Sequence, residues 1–120
     1  MDIENLIYET LSSLECPVRY GWYDENMQST HVTYFIIQEV ADESLDDELE
    51  TLAYTVQVDV WSMSDDDKKI KKQIIKKMRA QGFGFEDSAD LFETDTKIYH
   101  KAMRFNYIEE VEPWENQEEQ

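Results

Sequence analysis

The stretch LAYTVQVDVWSMSDDDKKIKKQIIKKMRAQG, residues 52–82, decides the reading of this chain. Tyr54, Val56, Val58 and Val60 alternate with Thr55, Gln57 and Asp59. That is the period of two residues expected of a strand with one buried face. After Trp61 the period changes. Ser64 can cap a helix, Asp65, Asp66 and Asp67 suit its first turn, and Gly82 ends it. Ile70, Ile74 and Met78 form an apolar stripe at helical spacing, with Ile75 beside it. The strand over 52–62 is expected at the centre of a sheet, with the helix over 65–81 packed on one face. Of the 11 basic residues, seven lie in this helix: Lys68, Lys69, Lys71, Lys72, Lys76, Lys77 and Arg79.

Around this unit the chain is acidic. It has 120 residues, 28 Asp and Glu, and a formal net charge of −17. The length fits one domain with a real core, expected over 1–111, followed by an acidic mobile tail over 112–120. A nucleic-acid binder acting alone needs the opposite sign of charge to neutralise phosphates. The acidity therefore serves solubility, or makes a surface that repels DNA or meets basic partners. Charge sorted along a chain suits a protein that meets copies of itself or its partners in a fixed orientation. In the helix, first-turn acids and later lysines also suit the macrodipole.

Outward from the central unit, residues 2–14 read as a helix capped by Asp2, with Ile3, Leu6, Ile7, Leu11 and Leu14 on one face. Residues 18–23 read as a short strand bent at Gly21, and 31–41 as a strong strand covered on both faces. Residues 42–50 hold six acids, Asp42, Glu43, Asp46, Asp47, Glu48 and Glu50, and read as a solvated loop or hairpin tip. A short strand over 89–93 and a long one over 98–110 complete the order α-β-β-β-α-β-β.

Residues that carry chemistry are sparse. Cys16 is the single cysteine, which excludes an intrachain disulfide and any multi-Cys metal site. It reads as a small buried or half-buried thiol. His31 and His100 lie in separate expected strands, belong to no ligand pair, and meet only if those strands pair. The acidic run lacks the spacing and glycine of an EF-hand loop. Gly82-Phe83-Gly84-Phe85 lacks the lysine of a phosphate loop. No spacing selects a carboxylate pair for acid–base work, so the expectation is a non-enzyme with no cofactor and no metal. No apolar run approaches the roughly 20 residues of a membrane span. The acidic N-terminus is unlike a signal peptide, so cytoplasmic synthesis is expected. Trp22, Trp61 and Trp114 are candidate apolar anchors, burial in the core being the commoner fate of the first two.

Several segments together resemble the small tail-completion proteins of long-tailed bacteriophages and prophages. They are Tyr54-Thr-Val-Gln-Val-Asp-Val-Trp-Ser62 with the helix and Gly82-Phe83 that follow, and Asp90-Leu-Phe-Glu-Thr-Asp-Thr-Lys-Ile-Tyr-His-Lys-Ala-Met-Arg-Phe105. Pro17-Val18 with Gly21, and Thr33-Tyr34 opening a strand, fit the same layout. The resemblance covers residues 3 to 108. It implies an α+β fold with an antiparallel sheet packed against helices. It also implies a ring, usually a hexamer, that caps the tail tube as a tail terminator and joins the tail to the head. The implied partners are other copies of the chain, the tail-tube protein and the head connector, with DNA only passing through the lumen. The implied location is the bacterial cytoplasm during assembly, then the neck of the virion. The alternatives are another neck protein (head-completion or head–tail adaptor) and an acidic DNA-mimic inhibitor. The interface expected from the residues pairs Lys68, Lys71, Lys72, Lys76 and Arg79 with Asp42, Asp46, Asp47 and Glu48 of a neighbouring copy.

Overall fold

The structure, a computed structural model, describes residues 2–25, 29–43, 50–94 and 97–111, without the side chains of 42, 43, 50 and 111. The elements run α1 (Ile3–Leu11), β1 (Val18–Tyr20), β2 (His31–Glu43), β3 (Glu50–Ser62), α2 (Asp67–Ala80), β4 (Gly84–Glu93) and β5 (Ile98–Val111). The five strands form one sheet in the order β1-β2-β3-β5-β4. The central position of β3 and the order of elements are as the sequence indicates.

The sheet is mixed, which corrects the expectation of an antiparallel one. β1 pairs with β2 in parallel, Val18 opposite Val32, while all other pairings are antiparallel. The cause is local. After α1 the chain enters β1 beside β2, then turns back through Gly21, whose φ of 116° is readily open only to glycine. The Gly21 amide closes this end on the Tyr34 carbonyl at 2.8 Å.

Both helices lie on one face. Ile7, Leu11, Ile74 and Met78 pack onto Val32, Tyr34, Val56, Val58, Met103 and Phe105. Asp2 caps α1, accepting from the Asn5 amide at 3.1 Å. α2 begins at Asp67 with Asp66 as its N-cap, two residues beyond the expected Ser64 cap. The displacement follows from a hydroxyl cluster. Ser62, Ser64 and Thr30 all donate to the Asp66 carboxylate, tying β3 and the start of β2 to the helix start. Burial opposes charge on Asp66, but these donors outweigh it and hold its pKa below the usual value.

α2 ends in a Schellman motif. The Phe83 amide donates to the Met78 carbonyl and the Gly82 amide to the Arg79 carbonyl, each at 3.1 Å, with Gly82 at φ 95°. Strand boundaries also differ from the sequence reading, and β1 ends at Tyr20 rather than 23. β4 starts at Gly84, five residues earlier than 89, and β2 and β3 extend to Glu43 and back to Glu50. Asp42, Glu43 and Glu50 are therefore strand residues, paired with Thr51 and with each other across the hairpin. No helix among the described residues is long and apolar enough to cross a membrane.

Candidate functional site

The basic helix presents three faces. Asp67, Lys71, Ile74 and Met78 recur at spacings of four and three residues and turn toward the sheet. Lys71 Nζ donates to Ser88 Oγ on β4 at 2.8 Å. Asp67 lies 3.7 Å from the buried Lys101, which also pairs with Asp90 at 2.8 Å. That hydrogen bond, from Lys101, is the main reason the Asp90 carboxyl sits below its usual pKa. Ile70, Gln73 and Lys77 turn toward α1, where Lys77 Nζ donates to Ser13 Oγ at 2.7 Å. The third face, Lys68, Lys72, Ile75 and Arg79, looks away from α1, above the β4 edge. Lys68, Lys72 and Arg79 are exposed, and Lys76 rides the solvent crest beside them. Among the described residues, Lys71 is the one of the five expected interface cations tied to the sheet by a hydrogen bond.

The acidic half of the expected interface falls elsewhere. Asp46, Asp47 and Glu48 lie outside the described residues. Asp42 is a β2 residue opposite Thr51, and its side chain is outside the description. Trp114 also lies outside it.

The opposite face of the sheet carries a group that strand-by-strand reading does not assemble. His31, Trp61 and His100 stand in one row across β2, β3 and β5. The two histidines thus do not touch; Trp61 separates them, stacked 3.7 Å from the His100 ring. His100 Nε2 donates to Asp59 Oδ1 at 2.6 Å, and Gln57 Nε2 donates to the same carboxylate at 3.0 Å. Asp59 is 0% and His100 3% exposed. Trp61 Nε1 donates to Thr33 Oγ1 at 2.9 Å. Trp22 lies edge-on against Trp61, His100 and Phe35, yet remains 54% exposed. One tryptophan is therefore core and the other a surface cap.

Asp59 and His100 are buried, and Trp22, Gln57, His100 and Arg104 line an open depression of about 490 Å³ beside them. The cavity beside Tyr23, His31 and Trp61 is about 10 Å³, room for one water at most. Among the described residues no three His, Cys, Asp or Glu side chains gather as metal ligands. Cys16 is half-buried; burial, then the charge of Asp66, raises its pKa and favours the inert thiol. Comparison with protein-family models finds no match for this chain, and comparison with curated proteins finds none either.

Proposed function

We propose that this chain is a non-enzymatic building block of a phage or prophage tail, a ring-forming terminator that caps the tail tube and joins it to the head connector. The observation that supports this most is the sorting of charge. A basic face on α2 is exposed along one side of a strongly acidic chain. Such sorting orients subunits in assembly, because charge complementarity sets register and speeds encounter. The resemblance of residues 54–62 and 90–105 to tail-completion proteins supplies the particular assembly. The Asp59–His100 pair suits bracing of the sheet, since both groups are buried and the His100 ring packs against Trp61 and Trp22. An acidic lumen would let DNA pass without adhering to the wall.

The exposed cations on α2 weigh against the DNA-mimic alternative, which needs carboxylates spread over its surface. A head–tail adaptor would use the same surfaces and differs in its partner. The test is capping in vitro. Purified chain added to polymerising tail-tube protein should stop elongation and be found at tube ends. Tubes that elongate unchanged would overturn the terminator role.

A further inference from the structure

On the helix-bearing face the two lateral edges carry opposite charge, while β4 itself adds Glu86, Asp87 and Glu93 beside the basic helix. On the β4 side, Lys72 and Arg79 flank Ile75 in an open shallow groove with Lys76 and Ala80, and Lys68 lies one helical turn before Lys72. The β4 carboxylate beneath them on this face, Asp90, is already held by Lys101. The far edge is built by α1, β1 and β2. There Ile3, Ile7 and Leu11 face the sheet, and Ser13 faces α2 through Lys77. Glu4 and Tyr8, four residues apart, turn outward from that edge. Asp2 and Tyr20 join them around Tyr34, and the Tyr20 and Tyr34 rings meet edge-on at 5.6 Å. Burial, then Glu4, Tyr8 and Asp2, push the Tyr34 hydroxyl pKa up, which places those groups close together. Tyr8 is 46% and Tyr20 55% exposed, an amphipathic pair of the kind enriched at interfaces. The one cation on β1, Arg19, bonds back to the Val18 carbonyl.

The sheet tier is compatible with the helix tier. β2 runs opposite to β3, β3 to β5 and β5 to β4, so β4 runs opposite to β2. Copies related by rotation about an axis along the strands therefore bring β4 antiparallel to the next β2. β1 covers β2 only at Val32, Thr33 and Tyr34. Among the described residues no strand pairs with the outer edge of β4.

We infer that copies of this chain associate head to tail, the Lys68–Lys72–Arg79 face of one meeting the Asp2–Glu4–Tyr8–Tyr20 edge of the next. This rests on the ring reading above and names the surfaces that would form the ring. The occupant is a second copy because the exposed cations of α2 match the exposed Asp2 and Glu4 carboxylates at the start of α1. The contact is heterologous, so it closes into a ring or continues as a filament, whereas a two-fold contact would stop at a dimer.

Disulfide trapping tests this directly. In a Cys16→Ser background, one preparation carries Tyr8→Cys and another Lys72→Cys. On oxidation, the mixture should form linked dimers at least about tenfold faster than either preparation alone, and salt should slow it by screening over about 8–10 Å. Adding Lys68→Glu and Arg79→Glu to the Lys72→Cys chain should remove the advantage. Adding Asp2→Asn and Glu4→Lys to its partner should restore it, with asparagine keeping the helix cap. Equal rates in the mixture and the separate preparations, or no rescue by the second reversal, would overturn the head-to-tail surface. The capping assay reads the role separately. Intact capping with failed trapping removes this surface alone; failed capping with successful trapping removes the tail role and leaves the self-association.

Discussion

Replacing His100 by leucine should expose how much the buried Asp59 carboxylate depends on its partner. His100→Leu keeps much of the side-chain volume against Trp61 but removes the 2.6 Å donor. Asp59, 0% exposed, would retain, among the described residues, the Gln57 amide as its side-chain donor. Leaving a buried carboxylate without its hydrogen-bond donor typically costs about 3 kcal/mol, because its desolvation is no longer offset. For a domain of this size that is a large share of a total stability of about 5–15 kcal/mol. It corresponds to a fall in Tm of roughly 10–20 °C. The paired change Asp59→Val with His100→Leu removes the stranded charge and should return to within about 2 kcal/mol of the parent. Urea unfolding followed by far-UV circular dichroism, on the parent, both single variants and the double, gives the coupling energy. A coupling below about 0.5 kcal/mol, or a His100→Leu chain as stable as the parent, would refute the brace.

Other expectations follow from the same structure. Val58 is fully buried between β2 and β5, so Val58→Asp should cost about 4 kcal/mol or more and abolish a cooperative melt near the parent's temperature. Gly82→Ala should cost about 1 kcal/mol in urea unfolding through its φ of 95°, since a Cβ there meets only ordinary contact with Tyr107 at 3.6 Å. Tyr54, buried beside Glu109 and Glu39, has its pKa pushed up to about 12. Its folded pKa is thus raised above the unfolded value of about 10, so its contribution is intact below pH 10 and is lost as pH rises toward 12. Ultraviolet titration should show Tyr54→Phe removing a late-ionising phenol and flattening that alkaline loss of stability.

The parts of the fold legible in the sequence are those where one side chain decides one face. β3 and α2 are legible because Tyr54, Val56, Val58 and Val60 all point inward, and Ile74 and Met78 answer them at helical spacing. β4 is legible only over its second half, 89–93, because almost every position from Gly84 to Glu93 is exposed and an edge strand shows little apolar alternation. The parallel pairing of β1 rests on three residues and a glycine turn, and no periodicity encodes it. The face bearing Asp59 reads as solvated, since Thr55, Gln57 and Asp59 are polar. Trp22, which shields that pair, comes from a bend after β1 that periodicity does not position. The signal available was a carboxylate between two valines, next but one to a tryptophan. For the interface, the sequence marked the helix and its cations. It took the helix geometry to divide Lys71, bonded to Ser88, from the outward Lys68, Lys72 and Arg79. The acidic counterpart expected at Asp46, Asp47 and Glu48 lies outside the described residues, whereas the counterpart proposed at Asp2 and Glu4 depends on the placement of α1 beside β1.

The central claim is that this chain ends tail growth and joins tail to head. Its most direct test is electron microscopy of particles from a phage or prophage encoding the chain, with and without that gene. The account predicts overlong tail tubes and DNA-filled heads without tails when the gene is absent, both reversed when it is supplied. Tails of normal length attached to heads would contradict it, and normal free tails beside leaking heads would assign the chain to the head side of the neck instead.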